Sequence, residues 1–489
     1  MLLDGLLALG LLLSTATQLR PEGLPLGPGE IFILLWLLVV LARRAGRPLT
    51  ANPATQVMLA FGLVLVVSES AGLMMGMVVE LFFDVPSIVH DIVAYIFLIC
   101  ATAMISIELT DDQRRTRVVW LLTTSGAVAL LLQFGDAKGW INIPFVDPWH
   151  FDRLRGWSND PNQLGFVTAF LFFLGIYLAE TSRRVVAVLT VVSCCTIALI
   201  GGVLTKSDTF VVCVAIGTGV FLIMTCRNFL LAPRGAVRAA IACIGLLAVP
   251  LALLATVPFT PALMAASETY TENVYYQDNQ GDTRLMLWRE ALSKGLESKL
   301  IGLGPGPHLV RKSYKRPPPD KFESHNTTLE LLTQGGFVAS LAFLGLVGWA
   351  VLQTYRAGVS SLVAMSCGLL VFSMFHFVLR HPIFWFGIVL CLLEAQRALQ
   401  ENRSSRAFPS SLPLGGHHHE CTSRSISLSR RHRCSSPPLE NDHGPRVSRG
   451  TSCGSGGIDT SATIYGQSAD RDRDTGYCND AWLAGRCGG

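Results

Sequence analysis

The chain has 489 residues, 50% of them hydrophobic and only 15% charged, with a net charge of +4. A mean hydropathy of +0.44 lies outside the balance of a soluble domain and sets the class as a membrane protein. The small positive charge is spread over loops and tail and gives no reason to invoke nucleic acid.

Crossing a bilayer takes about 20 apolar residues, and runs near that length recur along the first 400 positions. Twelve are expected as helices: 2–18, 30–42, 56–76, 88–108, 117–134, 162–179, 185–201, 209–225, 237–257, 327–352, 360–379 and 382–399. The first run lacks the basic flank of a cleavable signal, so it reads as a helix that stays. The architecture expected is all-α and polytopic, with residues 1–400 in the membrane.

Basic residues in short loops set the orientation. One set of alternate loops holds twelve, among them Arg43, Arg44, Arg114, Arg115, Arg227 and Arg356. The opposite set holds six: Arg20, Lys138, Arg153, Arg155, Lys206 and Arg380. The first set is therefore expected in the cytoplasm, with both termini. Two outer segments are long, about 135–161 and 258–326. Arg153 and Arg155 fall in the first of these, where membrane anchoring does not want them, and this tips them toward a functional reading.

The stretch Arg153-Leu-Arg-Gly-Trp-Ser-Asn-Asp-Pro-Asn-Gln-Leu-Gly165 packs these arginines and a turn-forming cluster against the start of the sixth run. In the second outer segment, Leu285, Trp288, Leu292 and Leu296 share one helical face, with Arg284 and Arg289 read as lying off that stripe. This is an amphipathic helix whose tryptophan suits a membrane interface, and from this stretch alone a solvated surface helix is as good a reading. Gly302-Leu-Gly-Pro-Gly-Pro307 follows, a turn run that lets backbone approach a ligand or another helix closely. A basic Pro-rich strip, Arg311 to Lys321, leads to Ser324-His-Asn-Thr-Thr327, where Ser324 or Asn326 is expected to cap the next helix. His325 would lie at that helix start, where the dipole favours a neutral, basic imidazole.

The last segment, 401–489, is a different material. Rich in Ser, Arg and Gly, with a His417–His419 run, it has no helical period and is expected to be a disordered cytoplasmic tail. No paired Cys-x-x-Cys spacing supports a metal site there. The other cysteines lie in or beside apolar runs, where a thiol behaves as a small hydrophobe. Glu69, Asp91, Glu108 and His376 stand within apolar runs, where ionisable groups are functional by default, and the loop constellation does not account for them.

Together, the two outer segments resemble the O-antigen ligases and related polysaccharide polymerases, polytopic membrane glycosyltransferases. The shared pattern is Arg153 to Gly156 running into Pro161-Asn162-Gln-Leu-Gly165, then Arg284 with Trp288, Gly302-Leu-Gly304, and the pair His325-Asn326. A departure is Leu204-Thr-Lys-Ser-Asp-Thr209, where many relatives carry a Ser-Arg-Gly-like turn. The resemblance implies a GT-C-like fold in the bacterial inner membrane with a periplasmic active site. There a glycan would pass from undecaprenyl diphosphate to a sugar hydroxyl, on the lipid A core or on a growing chain. It implies Arg153, Arg155, Arg284 and Arg289 as donor-diphosphate ligands and His325 as catalytic base. Asn162, Gly304 and Asn326 would shape the site, and membrane lipids would be the surroundings. No cofactor and no metal are expected: arginine's fork matches phosphate oxygens bidentately. A polymerase using the same donor is the nearest alternative. A lipid-linked glycan transporter is a second, although no internal repeat supports it.

Overall fold

The structure, a computed structural model, describes residues 1–21, 26–46, 48, 50–80, 84–182, 184–231, 278–310 and 321–407. They belong to a unit spanning Met1–Leu412. The expected ninth helix (237–257) and the tail from 408 onward lie outside the described residues, as does most of the basic Pro-rich strip.

The described residues form thirteen α-helices and two small hairpins. The helices are α1 (Leu2–Leu13), α2 (Pro28–Arg44), α3 (Pro53–Val79), α4 (Val85–Glu108), α5 (Asp112–Ala137), α6 (Pro161–Thr181), α7 (Val185–Leu204) and α8 (Asp208–Leu231). They continue with α9 (Asp278–Glu297), α10 (Thr327–Gln334), α11 (Gly336–Ala357), α12 (Ser360–Ser373) and α13 (Pro382–Ala407). Eight of them, α3 to α8, α11 and α13, are long and apolar enough to cross a membrane. Two expected spans are shorter than a bilayer asks: α1 has 12 residues and α12 has 14.

Helix starts follow local chemistry. Asn52, Asp84, Asp111 and Asp160 each accept a backbone N–H of the first turn, and Pro53, Pro86 and Pro161 stand at the first or second helical position. The core sits around α6, where 17 of 21 residues are buried because the helix is apolar on every face. It packs against α7, α8 and α12, while α13 lies against α4 and α11. Small residues open room for its rings. A Cβ at Gly368 would come within 2.7 Å of the Phe173 ring, and one at Gly387 within 2.7 Å of Phe170.

The run expected as one helix at 327–352 is two, a correction with a clear cause. Gly335 and Gly336 break it, and Gly336 has a positive φ of 72°. A side chain there would strike the Leu300–Ile301 backbone, which hydrogen-bonds across the break through Phe337 N to Leu300 O at 2.9 Å. The glycine run wedges against the same place. Gly302, Gly304 and Gly306 all have positive φ, and Leu303 N and Gly304 N donate to Thr333 O and Gln334 O at 2.7 and 2.8 Å. A Cβ at Gly304 would sit 2.6 Å from Leu73 Cα, so this loop is pressed backbone to backbone on α3.

At the opposite end of the bundle, ion pairs tie α1, α2, α4, α5 and α13 together. Asp4 accepts from Arg114 and Arg117, Glu108 pairs with Arg44 and Arg114, and Arg115 bridges Asp112 and Glu394. This accounts for Glu108, one of the four ionisable groups the sequence left unexplained.

Candidate functional site

The first outer segment folds as a hairpin, β1 (Trp149–His150) against β2 (Arg153–Leu154). Its arginines stitch it down. Arg153 donates from Nε to Thr205 O at 3.0 Å, at the end of α7, and from Nη2 to Asn162 Oδ1 at 3.2 Å, in the first turn of α6. Asn162 also accepts from Ser207 Oγ at 2.8 Å. Arg155 pairs with the exposed Asp147 at 2.6 Å and donates to its carbonyl. Lys206, at the departure from the family pattern, pairs with Asp152, whose carboxyl this contact holds below its usual range.

A cavity of about 660 Å³ opens beside this stitching. Val89, Val93, Ala94 and Phe97 of α4 give it apolar lining, with His90 among them. Its charged and polar lining includes Arg20 with Glu30, and Asp160, Glu323, His325, His376, Arg380 and His381. Of the sequence-predicted site residues only His325 lines it. Arg153 sits behind the cavity-lining Asp160 and Gln163, held by neighbours rather than facing in.

His325 is exposed and has a positive φ of 53°, uncommon for a residue with a Cβ. Its neighbours impose that turn. Asn326 is the cap, its Oδ1 accepting from Thr328 N and Leu329 N at 3.0 and 3.1 Å. Ser324 N donates to Glu330 Oε2 at 2.6 Å, a carboxylate reaching back in the manner of a capping box. Strain of this kind, about 1–3 kcal/mol, persists only where the surroundings over-determine it.

Arg380 clamps the same turn. Its Nη1 donates to Glu323 Oε1 and its Nη2 to Asp91 Oδ2, each at 2.7 Å, and it lies over the Phe377 ring. Burial works against its charge, but Glu323 and Asp91 outweigh it and hold its pKa above the ordinary arginine range. Its Nε is buried without an acceptor among the described residues. Asp91 in turn accepts from Gly306 N at 3.1 Å, so one carboxylate joins α4, the glycine run and the His325 turn. A second layer backs it. Tyr95 donates to Gln334 at 2.6 Å, and Gln334 donates to Gly306 O and Glu330. Beyond it, Lys321 and His308 pair with Glu80, outweighing burial to hold that carboxyl below its usual range.

His376 and His381 stack at 5.8 Å with their rings 16° apart. Burial, helped by His325 and Arg284, brings His376 down to about 3. Burial with His376 and Arg380 does the same for His381. Both are neutral near pH 7. Arg284 stands one turn of α9 before Trp288, whose ring packs on Phe375, the neighbour of His376 in the chain. Arg284 is half-buried.

In α9 the apolar stripe differs from expectation. Trp288 turns inward: its Nε1 donates to Ser324 O at 3.1 Å and its ring packs on Phe375. Leu285, Leu292 and Leu296 stay exposed, and Arg289 is exposed with them rather than off the stripe. At 100° per residue, position 289 lies about 40° around the helix from 285 and about 20° from 296.

Sequence reasoning missed Arg380, His381 and Arg20, and left Asp91 and His376 without a task. A signal existed for Arg380: it opens the last span on the side that anchoring does not favour, the argument used for Arg153. Glu69 remains apart, buried beside Gly335 with neither carboxylate oxygen hydrogen-bonded among the described residues. Also among the described residues, no group of three His, Cys, Asp or Glu is arranged to hold a metal ion.

Residues 193–344 match the family model described as O-antigen ligase. The match takes in Arg284, Trp288, Gly302–Gly304 and His325–Asn326 and leaves Arg153–Gly165 outside it. No curated protein matches the chain.

Proposed function

We propose that this member of the O-antigen ligase family transfers a glycan from undecaprenyl diphosphate to a hydroxyl of the lipid A core at the periplasmic face of the inner membrane. The observation that carries the reading is the cavity at the His325 turn. Apolar residues of α4 line it together with Arg20, His325 and a buried histidine pair, room and chemistry that suit a lipid-linked substrate.

In this reading His325 takes the proton from the acceptor hydroxyl as its oxygen bonds to the anomeric carbon. The bond from that carbon to the phosphate oxygen breaks, and the diphosphate leaves with the electron pair. One displacement inverts the anomeric configuration. A base of this kind contributes roughly 10²–10⁴-fold. The departing charge is met by Arg284 and Arg20, since a preorganised cation in a low-dielectric site is worth about 3 kcal/mol or more. These arginines supply the charge stabilisation that a metal supplies in other diphosphate enzymes, and activity is expected to survive strong chelation.

Arg153, Arg155 and Arg289 take other tasks in this assignment. Arg153 and Arg155 position the hairpin behind the cavity, and Arg289 lies on the exposed face of α9. Arg380 is a positioning residue that holds the His325 turn through Glu323. Deleting the gene and resolving the lipopolysaccharide on a gel tests the activity. Loss of the whole O-antigen ladder, restored by the wild-type gene and not by His325→Ala, is the result expected. A band of core plus one repeat would instead identify a polymerase working from the same donor.

A further inference from the structure

We infer that α9 is an interfacial helix whose exposed stripe, Leu285, Leu292 and Leu296, lies in the lipid at the site end of the bundle and sets the depth of the His325 turn. The stripe is no scattered set of surface leucines: Leu296 is 68% exposed, and Leu300 and Ile301 extend it beyond the helix end. Through the hydrogen bond from Phe337 N to Leu300 O it runs directly onto α11, whose exposed Phe337, Val338 and Leu341 belong to a membrane-crossing helix. An apolar face continuous with a lipid-facing one is covered by the same solvent.

The charges agree. Arg289 and Lys299 are exposed along this stripe and at its end, and neither has an acid partner among the described residues. A long cationic side chain set among leucines buries its stem in acyl chains and carries its head to the lipid phosphates. The inward face is committed elsewhere. Leu287 and Ala291 are buried against Leu309, and Trp288 binds Ser324 O, one residue from His325. Helix depth and the His325 turn are thereby joined through this indole and through Leu329, which packs on the Leu287 and Ala291 cluster. The inference concerns the helix and does not require the transfer reading.

Benzoylphenylalanine placed singly at Leu292, Leu296 or Glu297 of the full chain, reconstituted in vesicles of phosphatidylethanolamine and phosphatidylglycerol, tests it by photo-cross-linking and mass spectrometry. Leu341 on α11 serves as the site where lipid adducts must appear. Lipid adducts at Leu292 and Leu296, at yields like Leu341 and several-fold above Glu297, are expected. Cross-linked dimers at Leu292 and Leu296 would overturn the inference in favour of a second copy. Absence of adducts at both would overturn it in favour of water, and equal adducts at Glu297 would mean a submerged helix rather than an interfacial one.

Discussion

Arg153 and Arg380 each stand shortly before a helix-opening proline, Pro161 and Pro382, at the same end of the bundle. Their acceptors separate them. Arg153 spends its donors on a backbone carbonyl and a side-chain amide, both neutral, and so keeps its field while holding a hairpin to two helices. Arg380 lies between two carboxylates, which cancel its charge and make it a clamp on the turn that presents His325. Neither uses its guanidinium as a free anion ligand. In the proposed reading that task falls to Arg284, which has no ion pair among the described residues. An arginine's place at a helix mouth thus says little about its work until its acceptors are known.

The largest effect should come from breaking the clamp on one side. Arg380→Gln leaves the fully buried Asp91 with His90 as its one remaining basic partner among the described residues, and removing one partner of a buried pair costs about 3–5 kcal/mol. Melting in detergent should fall steeply for the single variant and recover in Arg380→Gln/Asp91→Asn. In that pair, transfer should stay low through kcat, with donor KM little changed, because the turn is no longer aimed. Wild-type melting of the single variant would remove the clamp from the account.

Arg284→Lys comes next. It keeps the charge but loses the fork, and about 10²-fold loss of transfer with weakened donor binding is expected in a purified assay. Normal binding would take the diphosphate away from Arg284.

The histidine pair makes a pH claim. His376 and His381 have folded pKa values depressed to about 3 from an ordinary 6.5, so the unfolded chain binds more protons between those limits. Their contribution is complete above about pH 6.5 and is lost as pH falls toward 3. Melting temperature should therefore drop on acidification through that window, and less so in His376→Gln/His381→Gln. Identical pH profiles would show that the pair does not titrate this way.

The smallest effects belong to the hairpin. Arg153→Gln forfeits two hydrogen bonds from a charged donor, about 1.5–3 kcal/mol each at most, and should lower melting modestly with donor KM unchanged. Arg155→Gln breaks a pair whose Asp147 is largely exposed and should stay within about 1 kcal/mol of wild type. A raised KM in Arg153→Gln alone would return that residue to the diphosphate.

The contrast also marks what was legible in the chain. Apolar runs placed most of the helices, because that signal is local. The break at Gly335–Gly336 was written in two glycines but hidden by the apolar residues on both sides. Its cause, the Leu300–Ile301 backbone, lies 35 residues upstream. Arg284 and His325 were legible as motif positions, whereas the partner of Arg380 is Asp91, 289 positions away. Trp288 was placed on the right helix and the wrong face, since an indole fits lipid and a hydrogen-bonding pocket equally well. Periodicity cannot choose between them.

The claim that this cavity is the transfer site is tested most directly by single-turnover transfer with purified His325→Ala, with donor binding measured on the same preparation. The result expected is donor affinity within about threefold of wild type and transfer slowed by roughly 10²–10⁴-fold. Near-normal turnover in a folded His325→Ala protein would contradict it.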